Sequence, residues 1–372
     1  MALTSTNREK RRERLFHDHM VVYFVILMGM FLDLPYRFVM EKFAGALSWL
    51  QFSADRLASL TESAIVQARQ RVGSTPLRSL FHLFARPLAT EVTLGASFHG
   101  LRLVIIDGTT FIVSDSEENA KQFGRPSNQS GPTGMPQIRC VGLIEYATRV
   151  FIDLVFGPYE GSSETSLALS LLSRLQPGML CMGDRLYPSH EFCKIVVATG
   201  AHFCFRVKKD IKLVPTRVLD DGSYEARMYL YIKRKKQKKE YVTVRVVKYN
   251  AAGHSEEIRL ITSLLDDKMV PATELAQLYP VRWTEETTYN ELKSVLRCRD
   301  LVLRSQSPEL VEQELYGVFL AHYLVRCFMF SAASQGGVPP DALSFNRAIY
   351  LVRENLPKLG DFSPGRDTED DY

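Results

Sequence analysis

The order of periodicities after residue 101 constrains this fold more than any other feature of the chain. Leu101–Ile106 is a short apolar run rich in branched residues that stops at Asp107-Gly108, the pattern of a strand entering a turn. Gln137–Tyr146 and Val150–Tyr159 read as two further strands, joined at hairpin length by Ala147-Thr148-Arg149. Glu164–Gln176 places Leu167, Leu171, Leu172 and Leu175 at helical spacing before Pro177-Gly178 breaks it. Met179–Gly183 is a fourth strand that ends at Asp184, Pro188–Thr199 is helical, and His202–Val207 alternates as a fifth strand. Crossover helices set the strands they connect parallel, so this order predicts an α/β fold with a mixed sheet in which the first and fourth strands run parallel. Asp107 and Asp184 then stand at the C-terminal ends of strands, the rim where ligands and active sites collect.

Helical patterns flank this region. Residues 15–90 read as helical, with Gly73 closing a helix over Thr61–Val72 and Thr75-Pro76 opening the next, which runs to about Ala89. Gln67, Arg69, Gln70 and Arg71 give the first of these a polar face that suits either DNA or solvent. Further helices are expected over Ala272–Leu278, over Val281–Leu296 after the interruption at Pro280, and over Pro308–Ser331 and Ser344–Leu356. Asp367–Tyr372 is a short acidic tail. Near the N-terminus, Arg8, Lys10, Arg11, Arg12 and Arg14 precede the apolar run Met20–Leu32, which imitates a signal peptide or anchor. That run has 13 residues, against the roughly 20 a spanning helix needs. Asp33, Pro35 and Arg37 interrupt it and apolar spacing resumes at Val39, Met40 and Phe43, so it reads as a buried helix with no membrane role.

With 372 residues, 46% of them hydrophobic, the chain has material for a substantial core in two or three units, which excludes disorder. Cys140, Cys181, Cys193, Cys204, Cys298 and Cys327 are scattered, the usage of a reducing cytoplasm. Cys181, His190, Cys193, His202 and Cys204 bunch without a C-x-x-C and read as small buried groups rather than a zinc site. The net charge of +4 is uninformative as a mean. Residues 206–250 hold fourteen Lys and Arg against five Asp and Glu, a local +9 that leaves the remaining 327 residues at −5. Tyr229–Ile232 and Tyr241–Val247 alternate as strands around Lys233, Arg234, Lys235, Lys236, Lys238 and Lys239. A β-rich insertion carrying a phosphate-facing loop follows, with a solvated loop as the alternative.

The chemistry concentrates in Tyr279-Pro280-Val281-Arg282-Trp283-Thr284-Glu285-Glu286, which continues through Tyr289, Asn290, Glu291 and Leu292 to Lys293. At about 100° per residue Tyr279, Arg282, Glu286 and Lys293 share a stripe about 60° wide, while Glu285 points away. If the helix begins at Pro280, Tyr279 is only approximately on that stripe. Asp107, Asp184 and Glu286 are three carboxylates that would repel one another unless divalent metal neutralised them. Mg²⁺ or Mn²⁺ accepts such oxygen donors, and two ions about 3.5–4 Å apart activate the attacking oxygen and stabilise the leaving one in phosphoryl transfer. There is no phosphate loop, nucleophile elbow, zincin or dinucleotide motif.

Asp107-Gly108-Thr109-Thr110 after one strand, Asp184-Arg185 after a later one, and the Tyr279-x2-Arg282-x3-Glu286-x6-Lys293 signature resemble the DDE transposases of bacterial insertion sequences, in the IS-four branch, over roughly residues 20–356. The resemblance implies a ribonuclease-H-like mixed sheet with flanking helices, interrupted before the last catalytic helix by a β-rich insertion. It divides the chain into an N-terminal helical and DNA-binding region (1–98), a first core part (99–207), the basic insertion (208–270), C-terminal core helices (271–358) and the tail (359–372). It implies cut-and-paste transposition, with nicking and strand transfer at terminal inverted repeats, often through a hairpin. Asp107, Asp184 and Glu286 would hold a pair of metal ions of the Mg²⁺ or Mn²⁺ class, and Tyr279, Arg282, Lys293 and Arg185 would contact phosphate. Double-stranded DNA, as terminal repeats and target, is the implied partner of a homodimer acting in the bacterial cytoplasm at the nucleoid. Leu186 departs from the Gly more usual after Asp-Arg, and no C-terminal domain is appended. A catalytically silent DNA-binding relative and a structure-specific nuclease are the alternatives.

Overall fold

Capping chemistry sets the first helices. The computed structural model describes residues 16–46, 54–129, 131–230, 240–250, 257–283, 288–292 and 302–356. It opens with α1 (Asp18–Met30), α2 (Tyr36–Ala46), α3 (Ala54–Ala58), α4 (Glu62–Val72) and α5 (Thr75–Phe84). The Thr61 hydroxyl accepts from the Ala64 amide at 3.2 Å to start α4, and Gly73 at φ 69° ends it. Ser74, one residue earlier than expected, is the N-cap of α5, with Pro76 in the first turn.

Strands β1 (Ser97–Phe98) and β2 (Leu101–Val113), helix α6 (Glu117–Phe123) and the small hairpin of β3 (Ser127–Asn128) and β4 (Gly131–Pro132) come next. They lead to β5 (Gln137–Glu145), β6 (Phe151–Pro158), α7 (Glu164–Leu171), β7 (Met179–Gly183), α8 (His190–Ala198) and β8 (His202–Arg206). Then come β9 (Pro215–Val218), β10 (Tyr224–Tyr229), β11 (Tyr241–Asn250), β12 (Glu257–Thr262), α9 (Ala272–Leu278) and a 3₁₀ turn over Tyr279–Trp283. Residues 288–292 are helical, and β13 (Val302–Leu303), α10 (Pro308–Gly336) and α11 (Phe345–Asn355) complete the chain.

Two units emerge. One comprises Pro87–Thr110 and Arg139–Thr288, and its sheet has the order β6-β5-β2-β7-β8-β12-β11-β10-β9. β2 runs parallel to β7, from Arg102↔Met179 to Ile105↔Met182, and β7 runs parallel to β8, as two helical crossovers require. On one face Val104, Ile106, Val141, Leu143, Cys181 and Phe203 pack under α7 and α8, and on the other Leu103, Ile105, Leu180 and Met182 meet Leu275 and Leu278 of α9. β12 pairs antiparallel with β8, and β11 and β10 follow, so the basic segment extends the main sheet rather than forming one of its own. The strand expected over Tyr229–Ile232 is β10, which starts at Tyr224 and ends at Tyr229. Tyr229 pairs with Tyr241 across the cationic loop, whose Lys233, Arg234, Lys235, Lys236, Lys238 and Lys239 lie outside the described residues. Arg245, fully buried on β11, donates to Ser223 Oγ at 2.8 Å and to the Val270 carbonyl at 2.6 Å, which ties the insertion to the approach to α9.

One expectation is corrected here: Asp107-Gly108 is not a turn. Thr109, Thr110, Phe111, Ile112 and Val113 are strand formers, and β13 pairs parallel with Ile112 and Val113, which carries β2 through the Asp-Gly step.

The other unit comprises Met1–Arg86, Phe111–Ile138 and Tyr289–Tyr372, so the N-terminal helices share a core with α10 rather than standing apart. α1 is that core's second helix. Gly29 lies against Gly317 of α10, where a Cβ would come 2.7 Å from the Gly317 carbonyl oxygen, and a Cβ on Gly317 would come 2.5 Å from that of Val25. α10 is the one helix among the described residues long and apolar enough to cross a membrane, and two thirds of its apolar window is buried in the fold. The polar face assigned to α4 is also corrected. Arg69 is completely buried and donates to Gln313 Oε1 at 2.8 Å, Ser305 Oγ at 2.9 Å and the Leu310 carbonyl at 3.1 Å. Arg71 pairs with Asp18 at 2.6 Å. These guanidiniums hold the unit together, and Gln67 and Gln70 are the exposed part of that face.

Candidate active site

Strand pairing brings Asp107 and Asp184 to the same end of the β2–β7 ladder. The parallel ladder ends at Ile105↔Met182; Asp107 lies two residues further along β2 and Asp184 directly follows β7, and the Asp184 charge is felt at Asp107. Gly183, the last residue of β7, is closely packed: a Cβ there would come 3.0 Å from the Tyr187 ring and 3.1 Å from Ile106. Asp184 Oδ1 accepts from the Leu186 amide at 2.7 Å, an Asx turn that orients the carboxylate despite the Leu where Gly is more usual.

The pair differs electrostatically. Burial raises the Asp107 carboxyl to about 7, Glu164 and Asp184 add to the rise, and the Gly108 amide and Arg282 oppose it. Glu164 was not singled out by its sequence, because a Glu in the first turn after Ser163 reads as an ordinary companion of the helix dipole. Its Oε1 accepts from the Tyr187 hydroxyl at 2.6 Å, and its carboxylate lies over Gly108, where a Cβ would come 2.7 Å from Oε2.

The signature segment departs from the uniform helical stripe. Tyr279–Trp283 is 3₁₀, in which residues three apart eclipse, and the Arg282 guanidinium accordingly sits over the Tyr279 ring at 5.8 Å. Tyr279 is 3% exposed and its hydroxyl donates to the Gly183 carbonyl at 3.2 Å, so the phosphate contact expected of it is replaced here by an internal one. Arg282 lowers the Asp107 pKa and is thus a fixed cation at the acidic site. Glu286 and Lys293 lie outside the described residues.

Among the described residues no group of three or more His, Cys, Asp and Glu is placed to hold a metal ion. The donor set nevertheless fits a hard divalent cation. Two carboxylates stand just beyond the end of the β2–β7 ladder, and the proton that burial and like charge favour on Asp107 is what such a cation displaces. The Cys181, Cys193 and Cys204 thiols are buried, and burial pushes the latter two up to about 12, which keeps them protonated and poor ligands.

Beside Asp184 a cleft of about 510 Å³ is lined by Arg185, Arg206, Lys208, Lys209 and Arg259, with Glu257 as its second acid. Arg259 is partly committed, donating to the Lys208 carbonyl at 2.6 Å and the Ile211 carbonyl at 2.8 Å. The excess charge of residues 206–250 had drawn attention to the loop at Lys233, whereas Arg206, Lys208 and Lys209 reach this cleft from the end of β8.

A ribonuclease-H-like sheet with two aspartates at the end of its central parallel ladder is the frame of a DDE transposase, and the chain belongs to that family: residues 98–324 match the family described as Transposase DDE domain. Residues 1–82 match a second family, Insertion element 4 transposase N-terminal, which sets the chain in the IS4 branch. It is 32% identical over 310 residues to Transposase InsG for insertion sequence element IS4 of Escherichia coli (strain K12), covering 82% of this chain and 69% of that protein. It is 31% identical over 191 residues to InsZ of the same organism, covering 50% and 59%. Among solved structures, the cryo-EM piggyBac transposase synaptic complex with hairpin DNA aligns over 98% of this chain and 78% of its own, at 13% identity and a TM-score of 0.49. The chain is a DNA transposase of the DDE type, a family whose membership implies dependence on divalent metal.

Proposed function

We propose that this transposase excises and inserts its element by a cut-and-paste route, cleaving DNA at terminal inverted repeats and transferring the freed strands to target DNA. The observation that supports the reading is the placement of Asp107 and Asp184 just beyond the end of the β2–β7 ladder, where the Asp184 charge helps raise the Asp107 pKa. In this reading Asp107, Asp184 and Glu286 hold two Mg²⁺ or Mn²⁺ ions. Bound there, the cations activate the attacking oxygen and stabilise the leaving one. The chain's own residues do the rest. Asp107 gives up its proton when a cation arrives, the Leu186 amide keeps Asp184 aimed, and Tyr279 fixes the backbone from which Asp184 springs. Arg282, Lys293 and Arg185 neutralise phosphate near the scissile bond. The cationic cleft and the loop carrying Lys233, Arg234, Lys235, Lys236, Lys238 and Lys239 guide the flanking duplex. Pairing two ends calls for a homodimer in the synaptic complex, and the substrate places the protein in the cytoplasm at the nucleoid.

The test uses purified protein and linear DNA carrying the inverted repeats that flank its gene. With Mg²⁺, end cleavage and joining are expected, each abolished by Asp107→Asn, Asp184→Asn or Glu286→Gln and little changed by Glu285→Gln. Cleavage without joining would favour a nuclease, and activity that survives Asp184→Asn would refute the site.

A further inference from the structure

Glu164 meets β2 beside Asp107 and the turn that follows Asp184, though it belongs to neither the signature nor the helix cap. The cap is complete without it, because the Ser163 and Ser166 side chains each accept from the other's amide, at 3.0 and 3.1 Å. Its carboxylate instead reaches β2 and lies over Gly108, one of the few positions in the sheet where a side chain would have no room: a Cβ would come 2.6 Å from Glu164 Cγ and 2.7 Å from Oε2. Oε1 is held from the other side by the Tyr187 hydroxyl at 2.6 Å. Tyr187 is fully buried, packs on Gly183 and meets Phe192 at 5.6 Å between ring centroids, so it presents its hydroxyl from a fixed position. Gly108 follows Asp107 directly, and Tyr187 lies three residues after Asp184.

No Lys or Arg among the described residues is within ion-pair distance of Glu164. Arg282 offsets part of the charge at Asp107, and the carboxylates bear the rest of their repulsion in the cation-free state. That repulsion is relieved when a divalent cation binds beside them.

We infer that Glu164, oriented by Tyr187, is a further carboxylate of the acidic site, acting on the bound divalent cation from outside the family's three acidic residues. The inference rests on the metal-binding reading above. Groups of this kind orient the ligands and add charge around them, and their loss costs about 10–100-fold in affinity.

Binding of Mn²⁺ to the full chain, read from the electron paramagnetic resonance signal of the free ion, tests it apart from any DNA reaction. Glu164→Gln keeps the shape of the side chain and an acceptor for Tyr187 while removing the charge. It is expected to weaken Mn²⁺ binding by at least about tenfold, and Tyr187→Phe by a smaller factor. Without metal, Glu164→Gln is expected to melt no lower than the parent protein, because like-charge repulsion is relieved; a merely structural Glu164 would lower the melting temperature. Glu118→Gln, an exposed acid on α6, serves as the control. Unchanged Mn²⁺ binding in Glu164→Gln, with binding still lost in Asp184→Asn, would overturn this inference alone. A parent protein whose Mn²⁺ binding is insensitive to Asp184→Asn would overturn the metal site itself, and this inference with it.

Discussion

The Tyr279 hydroxyl donates to the carbonyl of Gly183, the residue that precedes Asp184, at 3.2 Å. Burial pushes this phenol well above its ordinary pKa, so it remains a donor at any working pH. The first residue of the signature thus acts on the second aspartate through the backbone. Tyr279→Phe is expected to cost about 1 kcal/mol of stability and to slow cleavage on the order of tenfold. Its DNA affinity and salt dependence should match those of the parent. A drop of about 0.9 in the log-log salt slope would restore the phosphate contact instead.

The raised pKa of Asp107 fixes a pH dependence. Its folded value, about 7, lies above the ordinary 3.8, so the fold binds more protons than the unfolded chain between these values. Stability of the metal-free protein therefore falls as pH rises through that window and levels off above it. Asp107→Asn should flatten this decline in thermal melts from about pH 4.5 to about pH 8. Mn²⁺ must displace the same proton, so its apparent affinity should rise about tenfold per pH unit up to about pH 7 and then plateau. An affinity that is flat below that point would mean that Asp107 is already ionised.

In the helical unit, Glu291 forms an ion pair with Arg326 of α10, and His322 Nε2 lies 3.6 Å from the same carboxylate oxygen. Burial raises the Glu291 pKa, but His322 and Arg326 outweigh it and hold the group at about 2. Because the folded pKa lies below the ordinary 4.5, this stabilisation is present above that value and is lost as pH falls toward about 2. Arg326→Met leaves the carboxylate buried without its guanidinium and is expected to cost about 3–5 kcal/mol in urea unfolding. Glu291 stands five residues after Glu286, so the same variant is also expected to lose cleavage.

The strand-helix order was legible because periods of 2 and 3.6 are local properties, and β2, β5, β6, β7 and β8 lie where alternation and apolar runs put them. What escaped is set by partners distant in sequence. Asp107-Gly108 has the local chemistry of a turn, and only the pairing of Ile112 with Val302 shows why the strand continues. Arg69 looks like part of a solvent-facing stripe until Gln313, 244 positions away, accepts from it. Glu164 has nothing in its neighbourhood to mark it, because the groups that give it meaning, Gly108 and Tyr187, arrive from β2 and from the turn after β7.

The charge concentrated between residues 206 and 250 resolves into two places that titration with salt can separate. Lys208 and Lys209 line the cleft beside Asp184, whereas Lys233, Arg234, Lys235, Lys236, Lys238 and Lys239 belong to the connection between β10 and β11. Each phosphate that a cation neutralises contributes about −0.9 to the slope of log affinity against log salt. Replacing both Lys208 and Lys209 by Gln should therefore reduce the slope by at most about 1.8, with cleavage falling more than affinity because these residues adjoin the reacting strand. Neutralising the six loop residues should reduce the slope further and weaken binding to the whole duplex, with cleavage recovering at saturating protein. An unchanged slope in the loop variant would make that run a solvated connection and leave the cleft as the phosphate-binding part of the insertion.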